Sequence, residues 1–250
     1  KIINFSKKLN IYDNPDELMS VSLGSAETTL LKITSAYCSF LNGGKLVNPI
    51  LIDRIQDSEG KTIFNNEKRY CENCDQISYE GSKNPIIKDK YEQIFSPQTA
   101  YQMTSMLNGV IERGTGKGLK DLKVELAGKT GTTNKNTDTW FIGFTSNLVI
   151  GVYIGYDNPK SLGKFETGSK TAMPVFKEFI KQTANNNNAR PFKVAHNIKM
   201  MVVDSKTGKK ANTKTKQAII ESFKINSNKS DSLSDNIDSR LNSTNILKFY

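Results

Sequence analysis

The chain has 250 residues, 36% hydrophobic and 24% charged, so it can form one large domain or one domain with a small appendage. No apolar run approaches the roughly 20 residues that a membrane-spanning helix needs. The formal net charge is +10, yet residues 185–250 hold 12 basic and 5 acidic residues, a net +7. This distribution predicts a solvated or surface-attracted tail and no nucleic-acid partner, since no recognition motif accompanies the charge.

The first predicted elements are a helix and a β-hairpin. Apolar residues recur at helical spacing over Thr28–Asn42, and Gly43 supplies a stop, which predicts a core helix. Alternation over Leu51–Ile55, followed by turn residues at Asp57–Gly60, predicts a hairpin.

A polar segment and a second helix follow. Residues 65–94 are polar, include Cys71 and Cys74, and are expected to form an inserted loop or small lobe. Ser96-Pro97 has the residues of a helix cap and first position, and an apolar face continues to the glycines that begin at Gly114.

Three strands and a helix are predicted next. The strand candidates are Val124–Thr133, Thr139–Phe144 and Leu148–Tyr156, and their short links favour antiparallel pairing. The helix is Thr171–Thr183, and the side chains we expect it to bury are Val175, Phe176, Phe179 and Ile180. Together these elements predict an α+β fold, an antiparallel sheet flanked by helices.

The remaining residues are expected to lie outside this domain. The predicted boundaries are 1–184 for the domain, 185–226 for a linker and small β extension, and 227–250 for a disordered, flexible tail.

The segment Lys129-Thr130-Gly131-Thr132 has the composition of a binding strand. Because side chains alternate along a strand, Lys129 and Gly131 are expected on one face and Thr130 and Thr132 on the other. An ammonium beside two hydroxyls suits a carboxylate, and a free backbone N–H on an edge strand can hold an oxyanion. A second K-T-G, Lys206–Gly208, is expected to be a plain turn.

Four segments in order carry a family resemblance. They are SLGSAETTLLKITSAYCSFLNGG, AYQMTSMLNGVIERGTGKG, LAGKTGTTNKNTDTWFIGFTSNLVIGVYIGYDNPKSLG and ETGSKTAMPVFKEFI, within roughly Leu18–Lys181. Together they resemble the C-terminal part of the transpeptidase domain of class A penicillin-binding proteins. The resemblance implies the fold of serine β-lactamases and transpeptidases, here as a partial domain.

The resemblance also implies a function and a site. The family cross-links peptidoglycan stem peptides as D-alanyl-D-alanine transpeptidases and is acylated by β-lactams, without a cofactor or metal. Its site has three motifs, S-x-x-K with the nucleophile, S-x-N and K-T-G. By analogy Lys129, Thr130, Gly131 and Thr132 would bind substrate, and the Thr132 N–H would be one half of the oxyanion hole. A structural role is expected for Asp138 and Trp140.

The other two motifs are expected to precede this chain. Ser58–Lys61 and Ser82–Asn84 fit the patterns by letter, but activation of a Ser by a Lys three residues on needs a helical turn, and Ser58 lies in a predicted hairpin turn. Ser161–Lys164 contains Gly, and Ser234–Asn236 lies in the tail. No catalytic residue is therefore assigned.

The cysteines leave several interpretations open. A local disulfide between Cys71 and Cys74 is the first, free thiols the second, and an intermolecular bond or a partial metal site the third. Cys38 is expected to pack in its helix and His196 to lie at the surface.

The resemblance predicts the partners and setting of the whole protein. The partners are peptidoglycan stem peptides, β-lactams and the missing N-terminal part of the same protein, which would carry a membrane anchor and a glycosyltransferase on the periplasmic side of the bacterial inner membrane. The chain would then be a truncated protein or half of a split gene, inactive alone. The alternative is a non-catalytic module that binds muropeptide or a partner.

Overall fold

A computed structural model describes residues 1–67, 69–72, 74, 86–183 and 190–225. Its helices are α1 (Ile2–Lys8), α2 (Leu30–Leu41), α3 (Pro97–Arg113) and α4 (Ala172–Thr183). Its strands are β1 (Arg54–Gln56), β2 (Thr62–Asn65), β3 (Arg69–Glu72), β4 (Ile86–Asp89), β5 (Ala127–Thr132), β6 (Asp138–Phe144), β7 (Val149–Gly155), β8 (Ile198–Asp204) and β9 (Ala218–Lys224).

The central element is a three-stranded antiparallel sheet in the order β5-β6-β7. The prediction of three sequential antiparallel strands is confirmed. Strand β5 begins three residues later than predicted, because a short 3-10 helix over Lys117–Leu122 ends at Lys123 in a left-handed conformation. The Glu125 carboxylate accepts a hydrogen bond from the N–H of Phe192, and Glu125 does not join the sheet.

Helix α4 covers one face of the sheet. Its buried residues are Ala172, Met173, Phe176 and Ile180, and the Phe176 ring packs on Phe141 of β6 with ring centroids 4.8 Å apart. The expected burial of Val175 and Phe179 is wrong, since they are 52% and 47% exposed. The spacing of Met173, Phe176 and Ile180 defines a narrower buried stripe, and the other two apolar residues lie beside it.

Helices α2 and α3 lie on the opposite side. Helix α3 begins as predicted, where the side chain of Ser96 accepts from the N–H of Thr99. Helix α2 begins at Leu30, two residues later than predicted, because the side chain of Thr29 accepts from the N–H of Lys32 and caps it. A second core cluster lies between these helices and the sheet and consists of Leu107, Ala127, Phe144 and Phe192. Phe192 belongs to the segment beyond α4, so this core includes residues past the predicted domain boundary.

The described residues also form three two-stranded antiparallel sheets outside the central sheet. The predicted hairpin is β1–β2, all of whose strand residues are exposed. The hairpin β3–β4 forms within the predicted polar insertion, and β8–β9 forms the extension. The predicted tail, 227–250, and the predicted linker, 185–188, lie outside the described residues, and the domain boundaries stay predictions. No helix of the described ranges is long and apolar enough to cross a membrane.

Candidate active site

Strand β5 has an open edge. In the order β5-β6-β7 it pairs only with β6 among the described residues. The N–H of Thr133 donates to the carbonyl of Asp138 at 3.2 Å, so the backbone of Thr133 points toward β6. Gly131, two residues earlier in the strand, pairs with Trp140 of β6. Because backbone direction alternates along a strand, the backbone groups of Thr130 and Thr132 point to the open edge.

The Lys129 side chain lies at this open edge. It is exposed, and its Nζ donates to the backbone carbonyl of Thr130 at 2.8 Å. One cation and the two outward N–H groups of Thr130 and Thr132 therefore share one edge of the sheet. This arrangement suits an anionic group that enters alongside the strand.

The two threonine hydroxyls are each held by another segment. Thr130 Oγ1 lies 2.9 Å from Thr115 Oγ1, in the loop after α3. Thr132 Oγ1 accepts from the backbone N–H of Gly168 at 3.1 Å, in the turn before α4. The rotamers of both side chains are therefore set before any ligand arrives.

The turn before α4 is itself anchored to the sheet. Thr171 Oγ1 lies 2.6 Å from Thr139 Oγ1 of β6, and Thr139 is fully buried. The N–H and the hydroxyl of Thr171 also donate to the carbonyl of Thr167, each at 3.0 Å. The turn is therefore closed by its own hydrogen bonds and joined to β6 by the Thr139–Thr171 contact.

An aromatic pair from β6 and β7 lies beside Gly131. Trp140 and Tyr153 pack edge to face with ring centroids 4.6 Å apart, and Trp140 Nε1 donates to Asp138 Oδ1 at 3.0 Å. A Cβ on Gly131 would lie 3.1 Å from the Cβ of Trp140, so Gly fits this position best. These contacts agree with a structural role for Asp138 and Trp140.

The alternative serine motifs do not form a catalytic pair in the described residues. Ser58–Lys61 is the β1–β2 turn, in which Asp57 Oδ1 accepts from the N–H groups of Glu59 and Lys61, and Gly60 has φ +82°. Ser161–Lys164 is also a loop, not a helical turn. Ser82–Asn84 and Ser234–Asn236 lie outside the described residues.

The cysteines and the histidine do not form a shared metal site in the part of the chain that the structure describes. Cys71 and Cys74 form a disulfide with Cα atoms 5.7 Å apart. Cys38 is a free thiol in α2 whose pKa is raised by burial. His196 is exposed. The described ranges contain no group of three or more His, Cys, Asp or Glu side chains that could hold a metal.

Sequence reasoning missed two residues at this site, Thr115 and Gly168. Both lie in segments that carry the family resemblance, R-G-T-G and E-T-G, yet neither pattern indicates which strand residue it contacts. A cavity of about 270 Å³ lies elsewhere, lined by residues of α1 and of the segment 17–22, and includes no residue of β5.

The family of this chain follows from a comparison with known proteins. The family model for the penicillin binding protein transpeptidase domain matches residues 6–181. The chain therefore belongs to this family, and the predicted α+β transpeptidase-like fold is confirmed.

Individual relatives are penicillin-binding proteins 1A. That of Rickettsia bellii is 41% identical over 229 residues, which are 90% of this chain and 28% of the relative. That of Rickettsia prowazekii is 42% identical over 229 residues, 90% of this chain and 29% of the relative. The chain thus spans less than a third of the length of these relatives.

Two solved structures are similar to this chain. The crystal structure of Penicillin-Binding Protein 1A from Haemophilus influenzae has a TM-score of 0.71 at 30% identity, over 88% of this chain and 35% of that one. PonA1 from Mycobacterium tuberculosis, solved with penicillin V, has a TM-score of 0.51 at 18% identity over 76% of this chain and 52% of that one, a likeness of fold alone.

Proposed function

We propose that this chain supplies the substrate-binding strand of a serine-type D-alanyl-D-alanine transpeptidase, which cross-links peptidoglycan stem peptides in bacterial cell-wall synthesis. The observation that carries the proposal is the open edge of β5, where the Lys129 ammonium lies against the Thr130 carbonyl and two N–H groups point outward. Membership of the penicillin-binding transpeptidase family supports it.

The residues of β5 have distinct roles in this proposal. Lys129 and the hydroxyls of Thr130 and Thr132 bind the C-terminal carboxylate of a stem peptide, or the carboxylate of a β-lactam, by charge-assisted hydrogen bonds. Gly131 lets the ligand approach the strand closely. The N–H of Thr132 stabilises the negative oxygen that forms on the attacked carbonyl.

The nucleophile comes from an upstream part of the same protein. A serine oxygen there attacks the carbonyl of the penultimate D-alanine, and the terminal D-alanine leaves with a proton on its nitrogen. The amino group of a second stem peptide then takes the acyl group, and the serine recovers its proton. A β-lactam is opened by the same attack, but its nitrogen stays tethered to the acyl group.

We further propose that the site acts on the periplasmic side of the inner membrane, with the anchor and a glycosyltransferase on the upstream part. The Cys71–Cys74 disulfide supports this location, because disulfides persist mainly in oxidising compartments.

The chain alone is predicted to be inactive. No described S-x-x-K segment is a helical turn, and loss of the nucleophile removes several orders of magnitude in rate. The test is a denaturing gel after incubation with a fluorescent penicillin. We expect no covalent band on the 250-residue chain and a band on the full-length protein.

Lys129→Ala in the full-length protein is the control for the role of β5, and we expect it to weaken labelling by about ten- to a hundredfold because a charged hydrogen-bond donor is lost. A band on the 250-residue chain alone would contradict the upstream nucleophile and bring Ser58 back into consideration. An unlabelled full-length protein would contradict the proposed function and favour a non-catalytic module that binds muropeptide.

A further inference from the structure

Gly168 lies directly on the backbone of the substrate-binding strand. A Cβ at this position would be 2.5 Å from the carbonyl oxygen of Trp140 and 2.6 Å from that of Gly131, distances that real Cβ atoms do not adopt. The position therefore accepts only glycine unless the turn or the strand moves.

Hydrogen bonds hold the turn around Gly168 at both of its ends. The hydroxyl contact between Thr171 and the buried Thr139 holds its far end on β6. The carbonyl of Gly168 accepts from the N–H of Met173 at 2.8 Å, which ties it to the first turn of α4. A side chain at residue 168 would therefore displace β5 or pull Gly168 away from Thr132.

The contact with Thr132 has a chemical consequence. A hydroxyl group has one hydrogen to donate and two lone pairs to accept with. The N–H of Gly168 takes one lone pair of Thr132 Oγ1 at 3.1 Å, so the hydroxyl hydrogen remains available to donate to another partner. In the proposed function that partner is the ligand carboxylate.

We propose that Gly168 is a positioning residue for carboxylate recognition, which acts through the Thr132 hydroxyl. This inference rests on the proposed function. It differs from a general packing role in one measurable way: the loss on substitution depends on the ligand having a carboxylate.

The test compares acylation of the full-length protein by benzylpenicillin, which has a free carboxylate, and by its methyl ester, which has none. We expect Gly168→Ala to slow acylation by benzylpenicillin by about ten- to a hundredfold, the usual effect of weakening a hydrogen bond to a charged group. Acylation by the ester should change much less. Gly118→Ala is the matched control, because its new Cβ would meet only the flexible end of Met173.

A double-mutant cycle tests the route of the effect. In a Thr132→Val background, which lacks the hydroxyl, Gly168→Ala should add little to the loss with benzylpenicillin. Thr132→Ser keeps the hydroxyl and should keep the sensitivity to Gly168→Ala. Equal slowing of both ligands, or additive losses in the double mutant, would overturn the inference.

A second variant covers the case in which Gly168→Ala does not fold. Thr171→Val removes the contact that holds the turn on Thr139 but leaves Gly168 in place, and we expect the same selective loss with benzylpenicillin. A wild-type protein that neither ligand acylates overturns the inference together with the proposed function. A wild-type protein that prefers the free carboxylate, with no selective loss in either variant, overturns the inference alone.

Discussion

At the scale of single residues, two hydroxyl contacts from outside the strand hold Thr130 and Thr132 of the candidate site. The Thr115–Thr130 contact is the more exposed of the two, and Thr115 itself lies at the surface. An exposed hydrogen bond between neutral groups contributes little to stability, about 0.5–1.5 kcal/mol. We expect its main effect to be on the orientation of the Thr130 hydroxyl.

We predict that Thr115→Val in the full-length protein slows acylation by benzylpenicillin by about two- to tenfold, the equivalent of one neutral hydrogen bond. Thr115→Ser keeps the hydroxyl and should retain the wild-type rate. The measurement is the second-order rate of acylation. Equal losses in the two variants would show that the methyl group of Thr115 matters and the hydroxyl does not.

Glu125 is a second residue with a measurable effect. Burial raises its pKa, and the hydrogen bond that Glu125 Oε2 accepts from the N–H of Phe192, at 2.8 Å, opposes this only in part. The folded state therefore binds more protons than the unfolded state between the ordinary pKa of 4.5 and the raised value. The stability contributed by this residue falls as the pH rises through that window.

We predict that Glu125→Gln removes this pH dependence, since the amide does not ionise and its oxygen can still accept from Phe192. Measured by urea unfolding from about pH 4 to pH 7, the wild type should lose stability relative to Glu125→Gln as the pH rises. Glu178→Gln makes the same chemical change at an exposed position of α4 and is the control. A pH-independent difference between wild type and Glu125→Gln would contradict the assignment.

At the scale of elements, residues 190–225, the extension beyond α4, pack on the family-matched domain of residues 6–181. The Phe192 ring meets that of Phe144 edge to face at 5.6 Å and is 7% exposed. Strand β9 lies along α3, where Lys224 Nζ donates to Thr99 Oγ1 at 2.7 Å and Glu221 pairs with Arg113. The extension therefore contributes to the core of the domain.

We predict that Phe192→Ala lowers the free energy of unfolding by about 3–5 kcal/mol, the usual cost of deleting a buried aromatic ring. Phe223→Ala, which removes a ring that is 38% exposed, is the control and should cost clearly less. Denaturant unfolding of both variants measures the difference. Equal and small losses would mean that the extension packs independently of the core.

The sequence predicted elements whose pattern is local. The alternation of β5, β6 and β7 and the Ser96 cap of α3 depend on neighbouring residues, and the structure contains them. The hairpin β3–β4 was not predicted, because its segment is polar and its pairs join residues far apart in the sequence, such as Lys88 and Glu72, whose Nζ and Oε1 atoms lie 2.6 Å apart. The exposure of Val175 and Phe179 was missed because periodicity cannot say how wide a buried stripe is.

At the scale of the whole molecule, one strand of the candidate site could be predicted and its supports could not. Lys129–Thr132 stands out by composition and by the family resemblance. Thr115 lies 15 residues before Thr130 and Gly168 lies 36 residues after Thr132, so their contacts exist only after the sheet and α4 have packed together.

The open edge of β5 also affects the solubility of the protein. Unpaired N–H and C=O groups along an exposed strand can pair with the same strand of another molecule, which begins aggregation. A lysine on such an edge discourages this, because like charges meet when two copies approach. Lys129 therefore disfavours edge-to-edge pairing of two copies of the chain, and removing its charge is expected to favour self-association.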